Sequence, residues 1–205
     1  MIGRLLIDYH HRAIHLPRTR RVAGALATLI ESEVQSVLDV GAGDGRVSAE
    51  IGRRIDATEV RGIDIAARPD AAIDIAIYDG LHLPYPDRSF DAVVLSDVLH
   101  HSPDPEGLLR ECLRVARCCV LLKDHLAFGP VSQKLLWLMD VAGNHATEVA
   151  VRGTYLSLEQ WFELAERAGG RIAAMRWPLR IHDLPWRLLT RSELQFAARI
   201  EVKSR

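Results

Sequence analysis

The stretch Ser36-Val37-Leu38-Asp39-Val40-Gly41-Ala42-Gly43-Asp44-Gly45-Arg46 constrains the fold more than any other part of the chain. Val37, Leu38 and Val40 form a short apolar run, as expected of a strand covered on both faces. Gly41, Gly43 and Gly45 follow at once. Glycine permits positive φ and close approach of a ligand to the main chain. Val47, Ile51 and Ile55 then recur at helical spacing. A strand, a glycine turn and a helix N-terminus together predict a nucleotide site, because free N–H groups point at the ligand.

The spacing narrows the nucleotide. A dinucleotide fingerprint runs G-x-G-x-x-G, whereas this loop runs G-x-G-x-G and carries Arg46 where the third glycine belongs. Asp39 sits two residues before the loop. A carboxylate there suits a ligand with a positive amino group better than a pyrophosphate. These two features point to S-adenosylmethionine, which has an ammonium, a sulfonium and no phosphate.

At 205 residues the chain is long enough for one domain with a substantial core. A net charge of −1 gives no electrostatic case for nucleic-acid binding. The three cysteines, Cys112, Cys118 and Cys119, form no C-x-x-C pair, which fits a reducing cytosol, and the scarcity of Lys beside Arg fits the codon bias of a GC-rich bacterium. No apolar run suggests a membrane span. Near the N-terminus, His10, His11 and His15 follow one another in a pattern that is not a recognised metal spacing, so no metal is expected there or elsewhere. This histidine-rich leader is either solvated or a flap over the ligand. A helix carrying Val22, Leu26, Leu29 and Ile30 precedes the first strand.

Later strands repeat the alternation. Glu59 to Ile65 ends near Asp64, 19 positions after Gly45, where an acid can accept from ribose hydroxyls. Ile73 to Tyr78 leads into Asp79-Gly80-Leu81. Phe90 to Leu95 leads into Ser96-Asp97-Val98-Leu99-His100-His101. Cys118 to Leu122 leads into Lys123-Asp124-His125. Alternation of this kind predicts a parallel sheet with right-handed crossovers and a ligand crevice beyond the carboxyl ends of its strands. The acids and histidines, spread over nearly ninety positions, are expected to converge there.

At this point the chain resembles the class I S-adenosylmethionine-dependent methyltransferases, and among them the bacterial group similar to quinone-biosynthesis enzymes. The resemblance rests on V-L-D-V-G-A-G-D-G (37–45), G-I-D-I (62–65), D-G-L-H-L-P-Y-P-D-R-S-F-D-A-V-V (79–94) and S-D-V-L-H-H (96–101). It implies a three-layer, Rossmann-like α/β fold. Its seven-stranded sheet is mostly parallel, and the last two strands, near Arg171–Ile181 and Gln195–Val202, form an antiparallel hairpin. It also implies roles. Asp39, Gly41, Ala42, Gly43 and Gly45 hold the methionine part. Asp64 and the adjacent Ile65 hold the ribose side, and Asp79, Gly80 and Leu81 flank the adenine. Ser96 and Asp97 lie near the sulfonium. The chain departs from the family pattern between strands two and three, where the usual helix is absent or one turn long.

The expected organisation is a single domain, 1–205. A cap and helix (1–34) precede the cofactor core (35–125). A helical insertion (126–156), together with residues 1–20, is expected to form a lid, and a C-terminal helix and hairpin (157–205) follow. Methyl transfer needs alignment of acceptor, methyl and leaving sulfur, and many acceptors must also lose a proton. His101, His125 and His100, with Asp124 as partner, are the candidates for that step. Asn144 and His145 are candidates to reach in from the lid. The expected acceptor is a small molecule and not nucleic acid, and the expected state is a monomer or homodimer. Two other readings stay open: an NAD(P)-binding oxidoreductase and a catalytically silent, methyltransferase-like binding subunit.

Overall fold

The computed structural model describes residues 15–66, 68–144, 153–184 and 186–202. His10, His11 and His145 lie outside them. The first helix of the described residues, α1 (Leu16–Ala27), has proline in its first turn, where the missing N–H costs nothing. It stops before Leu29, which is buried all the same. Strand β1 (Ser36–Val40) follows and is buried along its whole length. Then come α2 (Arg46–Ile55), β2 (Glu59–Asp64), β3 (Asp74–Ile77) and β4 (Phe90–Ser96). A 3₁₀ turn (Leu99–His101) leads to α3 (Pro105–Val115) and β5 (Ala116–His125). The chain continues through α4 (Pro130–Asn144), α5 (Leu158–Arg167), β6 (Gly170–Arg176), α6 (Trp186–Thr190) and β7 (Gln195–Val202).

The seven strands make one sheet in the order β3-β2-β1-β4-β5-β7-β6. Strands β1 to β5 pair in parallel, and β7 lies antiparallel between β5 and β6. Strand β6 stops at Arg176, short of the expected Ile181, because Pro178 cannot donate to a ladder. Successive side chains of a strand point to opposite faces, and the two cores follow from that. Val37, Val94 and Leu121 meet Val22, Leu26 and Ile51 of α1 and α2 on one face. Leu38, Val93 and Leu122 meet Leu109 and Leu113 of α3 and Trp161 of α5 on the other.

Two helix starts form as their side chains dictate. Asp104 caps α3 by accepting from Gly107 N at 2.8 Å. Ser157 and Gln160 form a reciprocal capping box on α5. No helix joins β2 to β3 among the described residues, and edge strand β3 is largely exposed in consequence. No helix of the described residues is long and apolar enough to cross a membrane. Helix α4 packs as a small satellite, with Leu136, Tyr155 and Ala127 against Leu194.

Candidate active site

The strand order reverses between β1 and β4, and the main cavity opens there, beyond their carboxyl ends. Its volume is about 610 Å³. It is lined by Asp39, Gly41, Ala42, Gly43, Asp64, Ile65, Asp79, Gly80, Leu81, Ser96, Asp97 and His101. Four strand ends and the 3₁₀ turn thus bring these sequence-predicted residues together. Gly45 does not line the cavity. It sits in the left-handed region as the N-cap of α2, and a Cβ there would come within 2.5 Å of Ile73. Its task is to turn the chain into α2.

The glycine loop is held open by the second strand. Gly41 N and Ala42 N donate to Ile63 O, at 2.8 and 3.1 Å. Gly43 N donates to the Asp64 carboxylate at 2.7 Å. Gly62 makes room for this crossing, since a Cβ on it would meet the Ala42 side chain at 2.8 Å. A Cβ on Gly43 would meet only Arg68, at 3.9 Å, so the face of Gly43 opens into the cavity. These features make a cradle for a ligand that lies against the main chain.

The carboxylates differ in character. Asp39 is almost fully buried (3% exposed), and burial pushes its carboxyl up to about 7, with Asp64 and Asp44 adding to the rise. An ammonium group in the cavity would relieve that. Asp64 also accepts from Ala66 N at 3.2 Å, which fixes its orientation at the end of β2. Asp79 is exposed and accepts from Leu81 N and His82 N, and these bonds hold its carboxyl well below the usual range. It therefore shapes the Asp79-Gly80-Leu81 turn besides lining the cavity. Ile65 and Leu81 stay 61% and 44% exposed, apolar walls suited to a flat ring.

The far end of the cavity is built from side-chain pairs. Asp97 has φ +60°, unusual for a non-glycine residue. Lys123, fully buried on β5, holds it twice: Asp97 N donates to Lys123 O at 2.8 Å, and the ammonium bonds its carboxylate. Arg18 of α1 donates to the same carboxylate at 2.5 Å. Burial opposes the charge on Asp97, yet Lys123 and Arg18 hold its carboxyl far below the usual range.

Behind this wall lie three of the histidine-cluster candidates. His100 Nδ1 is 2.6 Å from Asp124, and its Nε2 is 3.3 Å from Asp140 of α4. Tyr155 donates to Asp140 at 2.5 Å. Burial disfavours the imidazolium, but Asp124 and Asp140 outweigh it and push His100 up to about 10. The same pairing, against burial, holds Asp124 well below its ordinary value. His125 is pushed down by burial and by Lys123. His100, Asp124 and His125 do not line the cavity. His101 does, with its ring 4.0 Å from that of His100.

Part of the expected N-terminal cover (1–20) lies at the cavity wall, though its individual lining residues Arg18 and Thr19 carried no signal of their own. His15, Arg18 and Thr19 line the cavity from α1 and the residue before it. None of the described residues of 126–156 does so. Arg18 and Asp97 are 79 positions apart and carry no local signal of their meeting.

Residues 38–118 match the family model described as "Methyltransferase domain". The chain is 26% identical over 177 residues to a ubiquinone biosynthesis O-methyltransferase of Pectobacterium atrosepticum, covering 76% of this chain and 68% of that one. It is 32% identical over 94 residues to methyltransferase GfsG of Streptomyces halstedii. That match covers 40% of this chain and only 34% of GfsG. In fold it resembles the mitomycin 7-O-methyltransferase MmcR, with a TM-score of 0.65 at 18% identity, over 90% of this chain and 54% of that one. It also resembles the YcgJ protein of a Bacillus, with a TM-score of 0.63 at 18% identity, over 89% and 99% of the two chains.

Proposed function

We propose that the chain is a class I S-adenosylmethionine-dependent methyltransferase that methylates a small-molecule acceptor in the cytoplasm. The observation that carries the proposal is the cavity itself, with a buried acid and a glycine cradle at one end and His101 at the other. Relatives named for ubiquinone biosynthesis, for 27-O-demethylrifamycin SV and for ajmaline support an acceptor of that size.

When bound, S-adenosylmethionine supplies an activated methyl on a sulfonium, open to in-line displacement. The residues present fit that cofactor. Asp39 offers the ammonium a carboxylate that burial otherwise disfavours. The face of Gly43 admits the methionine chain against the backbone. Asp64 would accept from ribose hydroxyls, and Ile65 and Leu81 would flank the adenine. Ser96 and Asp97, which line the cavity, would bound the sulfonium end of the cofactor. His101 faces the acceptor and takes its proton as the bond to carbon forms. His100 and Asp124 act as positioning residues, holding the His101 ring by contact from behind.

Calorimetry with S-adenosylhomocysteine tests the cofactor half: micromolar binding is expected, and no binding by the wild type refutes it. Asp64→Ala should weaken binding by about a hundredfold, through lost ribose contacts and the freed Gly43 N–H. With a methylatable acceptor in hand, His101→Gln should lower kcat by about 10²-fold while leaving cofactor affinity within a factor of two. An unchanged kcat would remove His101 from the reaction.

A further inference from the structure

Away from the cavity, one stretch of surface has an unusual composition. Residues 176–191 read R-W-P-L-R-I-H-D-L-P-W-R-L-L-T-R. Four arginines face one aspartate, in a chain whose overall charge is −1. Arg176, Arg180 and Arg191 are exposed. Among the described residues, no ion pair engages Arg176, Arg180 or Arg187, while Arg191 has Glu193 at 4.0 Å. Between the arginines, Trp177, Leu184 and Leu188 are 50%, 61% and 71% exposed.

Two of the exposed apolar groups meet directly, and others lie near them in the chain. The ring of Trp177 lies 5.9 Å from that of Phe128, itself 56% exposed, and Val131 at the start of α4 is 86% exposed. Trp177 Nε1 donates to Glu193 O at 2.8 Å. Glu193 borders the same depression as Arg187, Leu188 and Arg191. Exposed apolar patches rimmed by charge mark interaction surfaces.

The charge selects the occupant. A second copy docked by two-fold symmetry would set these arginines against themselves, which like-charge repulsion opposes. An anionic lipid surface satisfies both halves of the pattern. Leu, Phe, Val and Trp side chains enter the headgroup–acyl boundary, while guanidinium groups reach lipid phosphates on flexible stems. We propose that this face docks the protein on an anionic membrane surface as a peripheral protein. Asp183 on the same stretch pairs with Arg21 at 2.5 Å, and Arg21 belongs to α1, whose Arg18 and Thr19 line the cavity. That ion pair ties the stretch to the helix that walls the cavity. The docking itself does not depend on the methyl-transfer reading.

Vesicle sedimentation of the full chain tests it. The protein should pellet with phosphatidylcholine vesicles containing about a third phosphatidylglycerol, and not with phosphatidylcholine alone. Raising salt to about 0.5 M should release it at least tenfold. Arg176→Glu with Arg180→Glu, and separately Leu184→Ser with Leu188→Ser, should each weaken partition about tenfold without changing thermal unfolding. On the unaltered protein, acyl-brominated lipids should quench tryptophan emission. Absence of both partition and quenching overturns the proposal. So does a concentration-dependent dimer in sedimentation velocity that the leucine variant abolishes, which would assign the face to self-association.

Discussion

The two ends of the cavity are built on different principles. The end around Asp39 and Asp64 is made of strand termini and backbone: N–H groups of Gly41, Ala42 and Gly43 donate to groups on the neighbouring strand. The end around Asp97 and His100 is made of charged side chains that meet across 24, 26 and 79 positions. The first uses one buried, strained-in-charge acid to wait for a ligand. The second neutralises its charges internally, with Lys123 and Arg18 on Asp97, and Asp124 and Asp140 on His100. Binding energy is therefore expected to concentrate in the first end and folding energy in the second.

Breaking the internal pairing should have the largest effect. Asp124→Ala leaves a buried imidazole with one carboxylate partner in place of two, and should cost about 3–5 kcal/mol in urea unfolding. The pH profile sharpens this. His100 is raised from 6.5 to about 10 in the folded state, so its contribution is complete below pH 6.5 and is lost as pH rises through 10. The wild type should accordingly lose stability between pH 7 and 10, and Asp124→Ala should lose much less over that range.

Asp39→Asn should act in the opposite sense on the other end. The folded-state pKa of Asp39 is raised from 3.8 to about 7, so the native state binds the extra proton and loses stability as pH rises from 4 to 7. Asparagine removes that penalty. The variant without ligand should be more stable than wild type at pH 8 by about 2 kcal/mol, with a smaller gain at pH 5. It should bind S-adenosylhomocysteine about tenfold more weakly. Loss of stability together with unchanged affinity would show that Asp39 is a folding residue like Asp124.

The smallest effect is expected at the link between α1 and the far end. Arg18 and Asp97 are partly exposed, with side chains 27% and 20% accessible, so Arg18→Ala should cost about 1 kcal/mol. Proteolysis near the N-terminus should nevertheless accelerate, since this bond ties α1 to the cavity wall. A cost well above that would mean the two ends are not separable.

The contrast also explains what could be read before folding. Strand, glycine turn and helix follow one another along the chain, and periodicity and glycine spacing act over a few residues. Asp39, Asp64 and Asp79 were therefore traceable one strand at a time, as were the capping box at Ser157 and the short link between β2 and β3. The antiparallel end of the sheet followed only from the family resemblance. At the insertion, local signals predict an apolar helix but not what it packs against. Among the described residues α4 packs against Leu194, sends Asp140 to His100 and leaves Val131 exposed.

Sequence alone determined the order of strands and helices, the glycine cradle and the acids that end the strands, because each depends on neighbours in the chain. Tertiary structure alone decided which histidine reaches the cavity. His100 and His101 are adjacent in sequence, yet one turns back to Asp124 and Asp140 while the other lines the wall. That choice depends on which buried carboxylates lie within about 3 Å, and their nearness is a property of packing across the sheet, not of spacing along the chain.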